Sequence, residues 1–174
     1  MINYIWLNGE QAQQQLDALS RVLTACVAGG ASVGFTDATD SMTIRRFWQS
    51  ASMAVAQGEK ALAVARQNGE IVATLMVVLA MPVNGRHRAE ICKLLVHPDA
   101  RRQGIARALM VMAESYARKA GRTLLVLDTR SDDFAQALYL SLGWQVAGQI
   151  PGYACSTQGV LEATTVMYKR LDKA

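Results

Sequence analysis

Cysteine is scarce in this chain of 174 residues, and Cys26, Cys92 and Cys155 form no C-x-x-C pair and no His-rich spacing. An odd count without such spacing excludes a disulfide framework and offers no zinc site, so all three are expected to be reduced, two of them in the core. Aromatic residues make up only 6%, too few to supply the stacking platforms of a single-strand nucleic-acid binder, and no basic stripe is interleaved with them. Long apolar runs are missing too. Residues 71–81 form one of the longest, well short of the ~20 a membrane-spanning helix needs, and no basic-then-apolar leader opens the chain. The expectation is a cytoplasmic protein with neither nucleic acid nor membrane as partner. Linkers, low-complexity tracts and repeats are absent as well, which leaves a single domain over residues 1–174.

What is present suits an ordinary globular core. At 51% hydrophobic and 18% charged, a chain of this length buries roughly 70% of the surface its unfolded form exposes and needs no staple. The net charge of +4, from 18 Lys plus Arg against 14 Asp plus Glu, is mild and dispersed. It favours a small anionic ligand.

Periodicity along the chain gives an alternation of types. Residues 3–7 read as a short strand. Residues 11–27 read as one helix, with Leu16, Leu19, Val22, Leu23 and Cys26 at helical spacing and Gly29-Gly30 as the stop. A glycine-punctuated loop covers residues 29–35, and a second helix covers about 40–57 with Ile44, Phe47, Trp48, Ala51 and Val55 as its stripe. Residues 61–66 and 71–81 are strands joined through Asn68-Gly69, the preferred centre of a tight hairpin turn. Asn84-Gly85 then leads into a third strand of the meander, residues 88–96. Residues 105–120 form the clearest helix, ended by Gly121, and residues 123–127 a buried strand pairing in parallel with the one before it. Ser131-Asp132-Asp133 caps a helix through Ser141, and two strands, residues 144–148 and 164–169, flank a loop holding Pro151-Gly152-Tyr153.

The chemistry gathers where the third meander strand meets the clearest helix, at His97-Pro98-Asp99-Ala100-Arg101-Arg102-Gln103-Gly104-Ile105-Ala106. A glycine at a helix mouth leaves backbone N–H groups unshielded, and the helix adds a positive partial charge, so a pyrophosphate fits there. Alone, an R-x-x-G is more often an exposed basic turn. Between a strand and an amphipathic helix that feeds a crossover strand, it reads as a phosphate site.

These residues resemble the GNAT family of N-acetyltransferases, whose acetyl-CoA motif is R/Q-x-x-G-x-G/A after a strand ending in a V-x-P-like stretch. Arg101, Gly104 and Ala106 match it, with alanine where many members carry glycine. Leu94-Leu95-Val96-His97-Pro98 looks like the family's splayed fourth strand, and residues 135–144, with Tyr139, Leu142 and Gly143, look like its A-x-x-x-Y-x-x-L-G-aromatic motif. The resemblance implies an α/β fold with a mixed seven-stranded sheet, splayed between the fourth and fifth strands, and about four helices. Shorter stretches, residues 29–35, Ala89-Glu90, Leu127-Asp128-Thr129 and Ile150-Pro151-Gly152-Tyr153, are similar to the tabtoxin-resistance type of acetyltransferase, which acetylates the amine of an amino-acid-like β-lactam toxin.

From the resemblance follow expected roles. Acetyl-CoA binds along Leu94, Leu95, Val96, Arg101, Arg102, Gln103, Gly104, Ile105, Ala106 and Arg107, with freed backbone groups pairing the pantetheine arm and an N–H near Leu95 polarising the thioester carbonyl. Tyr139 is the expected general acid toward the departing thiolate. Glu90, at an even offset from Leu94 and so on the same side of the strand, is the expected base through water, or else a solvated strand residue. Asp128, closing the crossover strand, either holds the substrate ammonium or caps the next turn. Ser32, Val33, Gly34, Phe35 and Tyr153 are expected to flank the acceptor pocket. His87 and His97 adjoin turns and are not expected to be bases; Cys155 is needed only by a ping-pong route, and no metal constellation exists.

The implied activity is direct acetyl transfer from acetyl-CoA to a primary amine of a small, amino-acid-like antibiotic or toxin. Two alternatives remain: acetylation of a protein N-terminus or lysine, and a non-catalytic acyl-CoA sensor, against which Tyr139 and Glu90 together weigh. Family members often dimerise, so a homodimer is a possible state, although the sequence displays no interface.

Overall fold

The computed structural model describes residues 1–171. Strand β1 (Ile2–Leu7) leads into helices α1 (Gly9–Gln14), α2 (Leu16–Ala28) and α3 (Ser41–Ala56). The meander β2 (Lys60–Gln67), β3 (Glu70–Val78) and β4 (Arg88–Val96) follows, then α4 (Ile105–Lys119), β5 (Leu124–Arg130), α5 (Phe134–Ser141), β6 (Gln145–Cys155) and β7 (Leu161–Arg170). One seven-stranded sheet runs β1-β2-β3-β4-β5-β7-β6, in which β4 and β5 are parallel and every other neighbouring pair is antiparallel.

Two apolar cores lie on opposite faces of this sheet. On one, α1–α3 pack Leu19, Leu23, Ile44 and Trp48 against Leu62, Val64, Met76 and Leu95. On the other, α4 and α5 pack Ile105, Leu109, Met110 and Tyr139 against Ala63, Leu75, Val77, Ile91 and Leu125. Strand β2 divides its side chains accordingly: Leu62 and Val64 face the first core, while Ala61, Ala63 and Ala65 face α4, where small side chains let the helix lie close.

Several boundaries differ from the sequence reading. The helix expected over residues 11–27 is two helices broken at Gln15 (φ −107°, ψ 17°). Asn8 and Gln11 form a reciprocal capping box that starts α1 separately, and of α1 only Ala12 is buried, the rest of the stripe following from Leu16 on α2. Strand β6 runs through Pro151, Gly152 and Tyr153, expected in a loop. A prolyl nitrogen is tolerated there because β6 is the sheet edge and its register against β7 shifts between Ile150 and Ala154. Strand β5 continues to Arg130, so Asp128 lies within it opposite Val166, not at its end. Asn84-Gly85 sits in a short 3-10 turn (Val83–Gly85), while Asn68 and Gly69 adopt the two positive φ angles, 52° and 84°, of the expected hairpin turn. Of the cysteines only Cys26 is buried; Cys92 is half-buried and Cys155 exposed.

Candidate active site

At the strand-to-helix turn, Pro98–Ala100 forms a 3-10 turn, Arg102 and Gly104 take left-handed φ of 60° and 75°, and Gly104 caps α4. Left-handed residues at alternate positions turn successive N–H groups toward one point. None of the six backbone N–H groups of residues 102–107 meets an acceptor among the described residues. A Cβ on Gly104 would find nothing within 4 Å. Open space and uncommitted donors at the positive end of a 15-residue helix fit the pyrophosphate of a coenzyme A thioester.

The side chains around this turn divide the work. Arg101 turns back to donate from Nε to the Val96 carbonyl at 3.3 Å, holding the end of β4. Gln103 accepts from Gln67 at 2.9 Å, and Arg107 donates to Ser141 Oγ at 2.8 Å, tying α4 to α5. Arg102 makes no side-chain hydrogen bond or ion pair among the described residues and is exposed, so its guanidinium is available to a phosphate. Ile105 is buried and contributes its N–H alone.

The sheet opens beside this turn. Parallel pairing of β4 with β5 covers only Arg88–Leu124, Ala89–Leu125 and Glu90–Val126, so no β5 residue stands beside residues 91–96. A bulge in β4 against β3, between the pairs Met76–Cys92 and Thr74–Leu95, places Lys93 at φ 52°. Thr74, fully buried, donates from Oγ1 to the Lys93 carbonyl at 2.8 Å and holds the bulge. The extra residue reverses the faces: Ala89, Ile91, Leu94 and Val96 meet the α4 core, whereas Cys92 and Leu95 meet the α1–α3 core. Glu90 and Leu94 therefore face opposite sides, contrary to the even-offset expectation, because that count assumed an unbroken pleat.

Tyr139, on α5, is 7% exposed in the α4 core with its ring 6.0 Å from that of Trp144. Its hydroxyl has no hydrogen-bond partner among the described residues. Burial, and then the carboxylates of Asp133 and Asp128, push its phenol up to about 12, so it is a proton donor at neutral pH.

On the opposite face, Lys60, Val78, Glu90, Val126 and Tyr168 stand across from one another strand by strand, one row over β2, β3, β4, β5 and β7. Burial pushes the Cys92 thiol up, while the charges of Lys93, Glu90, Lys60 and Asp128 all bear on it. Glu90 closes the β4–β5 pairing opposite Val126, and Asp128 stands two residues further along the same face of β5, so the two carboxylates meet at the point where the strands part. Asp128 accepts from Thr164 Oγ1 at 2.8 Å, which fixes its carboxylate. Glu90 makes no hydrogen bond or ion pair among the described residues, leaving its carboxylate uncommitted.

The loop between α2 and α3 reaches this neighbourhood. Val33 and Phe35 pack on the α1–α3 core, Phe35 lies edge-on to Phe47, and Lys93 Nζ lies 5.1 Å from the Phe47 ring centroid. A Cβ on Gly34 would lie 3.8 Å from the same Nζ. Arg130 anchors the loop's start, donating to the Gly30 carbonyl at 3.0 Å. No hydrogen bond among the described residues joins the half-buried Ser32 to Glu90 or Asp128, and no hydrogen bond or ring contact joins the exposed Tyr153 to residues 32–35. Sequence reasoning missed Lys93, Lys60, Cys92 and Phe47. The adjacent apolar pair Leu94-Leu95, out of phase with Ala89 and Ile91, was the available signal for the bulge that brings Lys93 in.

A split mixed sheet whose gap opens beside an anion-receiving helix mouth is the arrangement of the GNAT acetyltransferases. Residues 27–144 match the profile of the acetyltransferase (GNAT) family, and the chain belongs to it. Rat N-acetyltransferase 8F1 is 36% identical over 91 residues, a stretch covering 49% of this chain and 40% of the rat protein. Human N-acetyltransferase 8 is 37% identical over 78 residues, 42% of this chain and 34% of the human one. The match thus spans well under half of these curated relatives. Among solved structures, an acetyltransferase from Salmonella typhimurium with its cofactor acetyl-CoA superimposes with a TM-score of 0.79 at 19% identity, covering 100% of this chain and 96% of that one. A ribosomal-protein-alanine N-acetyltransferase from Brucella melitensis gives 0.78 at 21%, covering 98% and 99%. At such identities the likeness is one of fold.

Proposed function

We propose that this protein transfers an acetyl group from acetyl-CoA directly to a primary amine of a small, amino-acid-like molecule. The observation that carries the reading is the run of uncommitted N–H groups of residues 102–107 opening beside the unpaired stretch of β4. The donor, when bound, supplies a thioester carbonyl carbon open to attack by a neutral amine. The N–H groups of the α4 mouth, with Arg102, hold its pyrophosphate, and residues 94–96 offer backbone groups to its pantetheine arm. Tyr139 gives its proton to the departing sulfur. Glu90, free of ion pairs, takes the proton of the acceptor ammonium through water, and Asp128 holds the ammonium in place.

In this reading the protein works in the cytoplasm and disarms an amino-acid-like antibiotic or toxin of the tabtoxin kind. The names of the fold neighbours from Brucella melitensis and Escherichia coli, both ribosomal-protein-alanine N-acetyltransferases, favour a second reading, a protein N-terminus as acceptor. The test is thiol release from acetyl-CoA by the purified protein against amino-acid-like antibiotics, aminoglycosides, polyamines and short peptides. Turnover confined to a small amine is expected. Turnover on peptides alone selects the second reading, and acetyl-CoA binding without turnover on any acceptor leaves an acyl-CoA sensor.

A further inference from the structure

The β4 bulge does more than open the sheet. Lysine at φ 52° occupies a left-handed conformation that is costly for an L-residue and persists only where its surroundings enforce it. Here they do so: the buried Thr74 hydroxyl binds the Lys93 carbonyl, and the register on both sides is fixed by Cys92 and Leu95 against β3. The strained residue carries a cation to the rim of the first core. Its Nζ lies over Phe47 and beside Gly34, yet forms no ion pair among the described residues. Lys60, at the head of the row containing Glu90, is likewise without an ion pair. Lys60 and Glu90 share one cross-strand row, Asp128 lies two residues beyond Glu90's partner Val126, Lys93 stands at the bulge on the same face, and no ion pair joins any two of the four among the described residues.

Such a separated arrangement suits a zwitterion. An acceptor with only an amine would leave the two ammonium groups uncompensated, and one with only a carboxylate would leave Glu90 and Asp128 so. A molecule bearing both offers each charge an opposite partner. The floor between them is apolar, with Val78 and Val126 flanking Glu90 and Val166 opposite Asp128.

We propose that Lys93 is the specificity-determining residue of the acceptor site, receiving the carboxylate of an α-amino-acid-like acceptor whose amine lies at Glu90 and Asp128, with Lys60 as a second cation. This rests on the amine-acetylating reading and names its substrate class. Phe47 and the positive-φ Gly34 (φ 89°) border that ammonium: the ring face holds it, and the Gly34 backbone lies beside it.

The experiment measures steady-state acetylation of free L-amino acids alongside the primary amines left when their α-carboxylates are removed. It uses the wild type and the variants Lys93→Gly, Lys93→Met and Lys93→Arg. Wild type is expected to favour the amino acids. Lys93→Gly and Lys93→Met should raise KM for amino acids about ten- to a hundredfold, with kcat and the KM for the decarboxylated amines little changed. Lys93→Arg should restore much of the preference. Glycine suits a positive φ, so a thermal midpoint for Lys93→Gly close to the wild type's separates lost recognition from lost folding. Equal effects on both acceptor sets, or no wild-type preference for the carboxylate, would overturn the assignment while leaving amine acetylation standing. Acetyl-CoA binding with no turnover on either set would overturn both.

Discussion

Tyr139 shows how one side chain's surroundings set its task. The same burial that seats its ring in the α4 core also makes its phenolate costly, and Asp133 and Asp128 add to that cost, raising it from 10 to about 12. Because the folded state holds this proton more tightly than the unfolded chain, its contribution to stability is complete below pH 10 and is lost as pH rises through about 12. Relative to Tyr139→Phe, the wild type should therefore lose roughly 2 kcal/mol more between pH 9 and 12. Urea unfolding of both proteins at the two pH values reads this, and parallel losses would mean an unperturbed phenol. Catalysis gives an independent reading. Tyr139→Phe should lower kcat about a hundredfold or more and leave acetyl-CoA affinity intact, as removal of a general acid does. Unchanged turnover would exclude the hydroxyl from the reaction.

At the scale of elements, the mouth of α4 offers the sharpest separation of folding from binding. Aspartate is ordinarily a good helix cap and tolerates left-handed backbone better than most residues, and a Cβ on Gly104 meets nothing within 4 Å. At φ 75° any residue with a Cβ is strained, so Gly104→Asp should still fold but with about 1 kcal/mol less stability than the wild type. Its carboxylate, however, would occupy the space over the donors of residues 102–107 and repel phosphate. Acetyl-CoA affinity should fall at least about a hundredfold by calorimetric titration, and unimpaired affinity would move the phosphate site elsewhere. This turn was legible in the sequence because its requirements are local: a glycine at φ 75° and a helix stripe that begins at Ile105. The β4–β5 split followed only from family resemblance. The faces of β4 differ from the even-offset count because the Leu94-Leu95 pair is the one local sign of a bulge, and the residue that holds it, Thr74, lies on β3. Strand β6 was cut short for a similar reason, since whether Pro151 breaks a strand depends on that strand being the sheet edge.

For the whole molecule, the sheet is shared between two cores, and the gap proposed to hold the donor lies where its halves join through three parallel pairs. If the halves moved independently, Tyr139, on the α5 side, would have no fixed relation to Glu90 on β4. Ties beyond the ladder prevent that: Lys169 on β7 reaches both Glu114 of α4 (2.8 Å) and the Leu142 carbonyl at the end of α5 (2.6 Å). Both cores should therefore unfold in one transition. Leu23, buried under α2, and Leu109, buried under α4, lie in different clusters across the sheet. Truncating either to alanine should cost about 3 kcal/mol, and the double variant should lose their sum to within about 0.5 kcal/mol, since the sites share no contact cluster. Trp48 reports on the first core and Trp144 on the second. In single-tryptophan variants of Leu23→Ala and Leu109→Ala, denaturant midpoints from the two reporters should coincide, as they must in a two-state unit. Separate midpoints, each shifted only by the truncation in its own core, would mean that the sheet does not couple its faces and that the gap is free to flex.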